Sequence, residues 1–420
     1  MSVVSRWRRG SEGALRLALD GFGQSVALVE ASHAAWTRAV NPFLWWRGAG
    51  DPPAGEQFDD GPPAESPPLA GFAYRGLRRA SDLADRAVRA GFALLPPVVD
   101  RPGTREQPWN AMARAALNGV LGDRLEATGN PLALPMTLRY KGRLLLPEDP
   151  DLAALLPGAT DHLLVLVHGL CMADVFWNYY GHHHGRFLNG TVGVTPVCLS
   201  YNTGRHISSN GRELSHLVER LARHWPVPLR RISLIGYSMG GLVVRAALRV
   251  ARADGADWLR HGAHAVYMGS PHHGAPLERG GHYLQNLAEL NPVLAPLGRL
   301  ARLRSAGITD LRHGSIADED WAGRDRFHRH AGKARRPAPL DPAFRHHVIA
   351  ATMGAGPGDT LDRALGDGLV PVDSAFGRHP DHAYDFGLAE KDRLLVTRTH
   401  HLELLASTPV ADRLAHWLAS

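Results

Sequence analysis

Hydrophobic and polar positions follow two rhythms along the chain, and the change between them falls near residue 137. Over residues 11 to 46, Leu15, Leu19, Phe22, Val26, Val29, Trp36 and Val40 recur at alternating steps of four and three, with His33 in one slot. That spacing predicts an amphipathic helix, weakened by Gly21 and Gly23. Residues 48–71 carry Pro and Gly with almost no large apolar groups, the composition of a linker. A second helix is expected over about 75–94, and a third opens at Pro108 with Trp109, Met112, Ala116 and Val120 on one face.

From about residue 137 short apolar runs replace the helical period. TLRY and RLLLP flank Lys141-Gly142, the signature of a short hairpin. LLVLVHG (163–169), TPVCLSY (195–201), RISLIGYS (231–238), HAVYMGS (264–270) and HHVIAATMG (346–354) have the length and continuous hydrophobicity of buried strands. Helical stretches at 204–224 and 239–253 lie between them. Alternation of this kind predicts a mostly parallel sheet covered by helices on both faces.

Composition narrows the function classes. The 420 residues leave room for one α/β domain of about 250 residues and an accessory region. Two cysteines, Cys171 and Cys198, cannot staple a small secreted domain and read as reduced thiols, a single bridge between them being the alternative. The formal charge of +6 comes almost wholly from arginine, since Lys141, Lys333 and Lys391 are the only lysines, and Arg alternates with Asp and Glu along most segments. That pattern argues against a nucleic-acid partner. No apolar stretch reaches the roughly 18 residues of a membrane span, and MSVVSRWRRG is not followed by the apolar run of a signal peptide. A cytoplasmic protein is expected. Trp45 and Trp46 beside Arg47 open a second option, in which the N-terminal helices pack on the body or meet a membrane or polymer surface.

The sharpest local signal is Gly236-Tyr237-Ser238-Met239-Gly240-Gly241, set between the strand RISLI and the helix LVVRAALRVAR. A serine on so sharp a turn needs neighbours without side chains at 236 and 240. Its hydroxyl becomes a useful nucleophile only with a base and a pair of N–H donors for the oxyanion. The expected donors are the backbone N–H of Met239, at the start of a helix, and that of Leu170 in the turn His168-Gly169-Leu170-Cys171 after the first long strand. The His168 side chain is expected to hold that loop.

VLVHGL, IGYSMGGLVVR, GSPHHGAP (269–276), GDGLVPVDSA (366–375) and THHLELL (399–405) occur in this order, and the set resembles the α/β-hydrolase lipases and esterases, in particular the bacterial lipase and GPI-inositol-deacylase-like branch. The resemblance covers about residues 135–420. It implies Ser238 as nucleophile, Asp367 as the acid of the Asp-Gly-hydrophobic-Val-Pro loop and His401 as the base, with His400 as the alternative base and Asp373, Asp341 and Asp362 as weaker candidates for the acid. It further implies a serine esterase or lipase acting on an ester or lipid, with no cofactor. The same triad would also serve an acyltransferase or a polyester depolymerase, and a scaffold used only for binding is the rival of another class.

Four regions are therefore expected: a helical extension (1–47), a linker (48–71), a helical accessory region (72–134) and a catalytic domain (135–420) with a lid inserted at about 276–339. The clustered histidines His182 to His184, His272-His273 and His346-His347 suggest metal binding at first sight. Adjacent residues on a strand point to opposite faces, so each such pair offers one ligand, and no metal site is expected.

Overall fold

The computed structural model describes residues 102–275, 305–323, 335–355 and 366–420, together with the isolated residues Glu12, Leu15, Arg16 and Arg86. The linker, the N-terminal stripe with Trp45-Trp46, the 75–94 stretch, and much of the 276–339 insertion lie outside the described residues.

An eight-stranded sheet carries the molecule, in the order β2-β1-β4-β3-β5-β6-β7-β8. The strands are β1 (Thr137–Tyr140), β2 (Arg143–Leu145), β3 (His162–Val167), β4 (Thr195–Ser200), β5 (Arg231–Tyr237), β6 (Gly262–Met268), β7 (Arg345–Ala351) and β8 (Arg393–Val396). β1 is antiparallel to both β2 and β4, and β3 to β8 run parallel. The hairpin turns at Lys141 (φ +50°) and Gly142 (φ +76°), two successive left-handed residues whose twist suits a two-residue connection.

Among the described residues, besides a single turn at Leu152–Leu155, the α-helices are α1 (Pro108–Ala127), α2 (His184–Val192), α3 (Ile207–Arg223), α4 (Met239–Asp254), α5 (Ala306–His313), α6 (Val372–Phe376) and α7 (Thr408–Leu418). All six residues of β3 are buried, as are the last six of β5. A strand buried on both faces has no polar side to alternate with, which is why these runs read as continuously apolar. β3 is flanked by β4 on one side and β5 on the other, so the chain leaves the sheet in opposite directions at this point. The crevice opened at the carboxyl ends of β3 and β5 is where an open α/β sheet places its chemistry.

The structure revises the reading of α1. Of the four residues expected on one face, Ala116 and Val120 are buried and Met112 packs partly buried against the core, but Trp109 is 58% exposed; Ala111, Ala115, Asn118, Gly119, Leu121, Gly122 and Leu125 complete the buried face. Small residues let this helix approach other backbone closely. Residues 100–129 belong to the same compact unit as the sheet. Among the described residues no helix is long and apolar enough to cross a membrane.

Candidate active site

Ser238 occupies the junction of β5 and α4 with φ +54° and ψ −125°, a strained conformation for a residue with a side chain. Its surroundings force that geometry. A Cβ on Gly236 would lie 2.5 Å from the Gly241 backbone, one on Gly240 2.1 Å from the Val167 carbonyl oxygen, and one on Gly241 1.9 Å from Ser270 Oγ. The three glycines let α4 start directly against the ends of β3 and β5. The strained turn is fixed by Ser238 N donating to Met268 O at 2.8 Å and Gly241 N donating to Ser238 O at 3.1 Å.

Asp367 and His401 meet beneath the surface. Nδ1 of His401 lies 2.7 Å from Asp367 Oδ2, and the residues are 4% and 1% exposed respectively. The other carboxylate oxygen accepts from Leu369 N (3.0 Å) and Val370 N (2.8 Å), so the acid is satisfied in one orientation. His401 N donates to Asp367 O at 3.0 Å, joining the two loops by main chain as well. The imidazole is 5.0 Å from the Tyr237 ring, and Tyr237 Oη donates to His401 O at 3.1 Å. The residue before the serine thus holds the histidine's backbone. Among the described residues Ser238 Oγ makes no hydrogen bond, a looseness common before substrate binds.

Asp362 lies outside the described residues, and the other competing residues are engaged elsewhere. His400 is half exposed and caps the following turn, accepting from Leu402 N at 3.2 Å. Asp373 sits at the surface 3.6 Å from Arg378, and Asp341 binds Arg252 through both oxygens at 2.6 and 2.9 Å.

The two expected amide donors flank the serine. Met239 opens α4, and neither its N–H nor that of Leu170 donates to a partner among the described residues. The 168–171 turn lies against the nucleophile, since a Cβ on Gly169 would fall 3.0 Å from Ser238 Cβ. Burial governs the electrostatics: it lowers His168 to about 4 and raises the Cys171 thiol to about 12. His168 Nδ1 sits 2.9 Å from Gly169 O, and its ring stacks on Tyr201. Both cysteines are unbridged and buried.

Residues 158–279 match the family model described as "Putative serine esterase (DUF676)". The fold is that of the α/β-hydrolases. Similar solved structures include a lipase-esterase related protein from Clostridium acetobutylicum (14% identity, 61% of this chain and 95% of that one, TM-score 0.33). An esterase from Pyrococcus furiosus is similar over 62% of this chain and 84% of its own, at 16% identity and TM-score 0.36. A type II thioesterase of a yersiniabactin NRPS/PKS biosynthetic pathway is similar over 63% and 96%, at 14% identity and TM-score 0.37. No curated protein matches the chain.

Within this fold several of the clustered histidines serve as polar joints. His346 turns to Tyr267 Oη (3.0 Å) and Asp341 O (2.7 Å), whereas His347 turns the other way to His264 (3.0 Å) and stacks on Trp417. His184 Nε2 bonds Leu404 O at 2.8 Å and so ties α2 to the turn that carries His401. Among the described residues no group of three His, Cys, Asp or Glu is arranged to hold a metal ion.

Sequence reasoning missed Tyr201, Tyr237 and Thr203. Tyr201 and Thr203 sit in Tyr201-Asn202-Thr203-Gly204, directly after β4, and their position at the carboxyl edge of a parallel sheet is the signal that flags them.

Proposed function

We propose that the chain is a serine hydrolase that cleaves carboxylic esters through an acyl-enzyme. The observation that carries this reading is a buried Asp367–His401 couple whose imidazole lies 5.0 Å from the ring of Tyr237, the residue before a serine on a strained, glycine-flanked turn. His401 Nδ1–H donates to Asp367, which leaves Nε2 free to accept a proton. Ser238 Oγ bonds the acyl carbon as its proton passes to Nε2. The C–O bond to the leaving alcohol then breaks, and that proton goes to the alkoxide. Water repeats the sequence in the second half and releases the acid. The Leu170 and Met239 amides, fixed before the reaction, bind the oxyanion in a site with little water to compete. The matched serine-esterase family model supports this reading, since it spans Ser238, Leu170 and Met239.

The 276–339 insertion, entering after β6 and returning before β7, is proposed as the cap that selects the acyl chain. Its described part is firmly docked: Ala306 N donates to Asp123 Oδ2 (2.9 Å), Asp310 accepts from Ile207 N (2.9 Å), and Trp321 stacks on His206.

Turnover of short and medium p-nitrophenyl esters, compared with Ser238→Ala, tests the reading. Loss of turnover in the variant is expected, and equal turnover overturns it. Labelling with a fluorophosphonate probe followed by peptide mapping is expected to mark Ser238, and a label on another residue overturns the assignment without presuming a substrate.

A further inference from the structure

The turn that carries Leu170 contains Cys171 at φ +59°, a left-handed conformation for a residue with a side chain. Such strain persists only where the surroundings over-determine it. Three contacts do so here. Cys171 N donates to Thr203 Oγ1 at 3.1 Å, with both residues 1% exposed. Tyr201 Oη donates to His168 O at 2.8 Å, at the other end of the same turn. Helix α1 closes the third side at Gly119, where a Cβ would lie 2.1 Å from Cys171 Sγ and 3.0 Å from its Cα.

Thr203 is itself held. Asn202 Oδ1 accepts from Gly204 N (3.0 Å), and Asn202 Nδ2 donates to Gly122 O of α1 (2.9 Å). On the far side Gly307 N of α5 donates to Gly204 O at 3.0 Å, and a Cβ on Gly307 would meet Thr203 O at 2.0 Å. The loop after β4 is thus clamped between α1 and α5, and presents the Thr203 hydroxyl to Cys171 N as well as the Tyr201 hydroxyl to His168 O. The Thr203 hydroxyl accepts the N–H of Cys171 and leaves the preceding N–H, that of Leu170, without a partner among the described residues.

We propose that Thr203 is a positioning residue for the oxyanion site: its hydroxyl fixes the Cys171 peptide and thereby aims the Leu170 N–H. The inference rests on the proposed reading of Ser238 as nucleophile. Thr203 acts through the Leu170–Cys171 backbone, so its contribution falls on the transition state, where the oxyanion develops, and not on ground-state binding. Removing the acceptor leaves a buried N–H unpaired and lets the strained turn relax away from Ser238.

The test compares Thr203→Val, which keeps the shape and removes the acceptor, with Thr203→Ser, which keeps the acceptor and removes a methyl. Thr203→Val is expected to lower kcat by about 10- to 100-fold with KM little changed, the size that goes with sub-ångström to ångström displacement of a catalytic group. Thr203→Ser is expected to restore most of kcat. Wild-type kcat in Thr203→Val overturns the inference, as does equal impairment of the two variants, which would assign the effect to packing. If Thr203→Val does not fold, Tyr201→Phe decides: it removes the hydrogen bond to His168 O and keeps the ring, a kcat loss at constant KM is expected, and unchanged kcat overturns the inference. Turnover that survives Ser238→Ala removes the underlying reading as well, whereas a Ser238-dependent enzyme indifferent to Thr203→Val removes the inference alone.

Discussion

Asp367 accepts from His401 and from two backbone amides at once, so its geometry survives loss of charge better than its chemistry does. Asp367→Asn places an amide where a carboxylate accepted the Nδ1 proton, and favours the wrong tautomer of His401. A fall in kcat of about 10⁴-fold with little change in melting temperature is expected, measured by steady-state kinetics and thermal unfolding. Gly240→Ala fails differently. Its Cβ would meet the Val167 carbonyl oxygen at 2.1 Å, a backbone atom that cannot rotate away, so both stability and activity are expected to fall. Soluble expression and a denaturant midpoint check this, and a variant as stable as the wild type would contradict it. Residue by residue, Ser238 is legible in the sequence because a strand-to-helix turn is local and its glycine requirements are written beside it. His401 and Asp367 lie 34 residues apart and become a pair only through the resemblance. Thr203 and Tyr201 carry no such signal, since a threonine after a strand is ordinary until the turn after β3 is seen against it.

Helices α3 and α4 cross where Gly211 faces Ala246 and Ala247. A Cβ on Gly211 would lie 2.4 Å from Ala246 Cβ and 2.8 Å from the backbone of both residues. Gly211→Ala is therefore expected to destabilise by about 1–3 kcal/mol, despite the better helix propensity of alanine, because the helices must separate. Urea unfolding measures it, and a stabilised variant would show that the crossing is loose. The same physics explains why Trp109, the largest residue expected on the face of α1, is not part of it, whereas Ala116 and Val120 are. Where helix meets backbone, the informative positions are the small ones, and Gly119 and Gly122 mark the buried stripe better than Trp109 does. β8 escaped the pattern for a complementary reason: Arg393–Val396 is four residues long and half-buried throughout, too short and too mixed to read as a strand without β7 beside it.

Across the molecule, burial keeps many imidazoles neutral. His162, His168, His184 and His264 are each at most 2% exposed, and desolvation lowers each to about 4 from an ordinary value of 6.5. Above pH 6.5 these histidines are neutral in both folded and unfolded chains and contribute no pH dependence. Between about pH 6.5 and 4 the unfolded chain binds protons that the folded chain excludes, so stability is expected to fall as pH drops through this window. Unfolding midpoints in urea from pH 8 to pH 4 test the sign, and a midpoint that rises on acidification would contradict it. Among the described residues part of the basic charge is neutralised locally. Arg205, Arg212, Arg249 and Arg252 are each paired with a carboxylate.

By itself the sequence determined the strands other than β8, the hairpin and the elbow of Ser238, because burial on both faces, turn conformation and helix initiation are each set by residues within a few positions. Tertiary structure decided the rest: which acid and which histidine meet, how closely α1 approaches its neighbours, and what holds the Leu170 turn. Those depend on contacts between segments far apart in the chain, such as Gly119 against Cys171 and Gly307 against Thr203, and a distance between remote backbones leaves no period or motif in a single sequence.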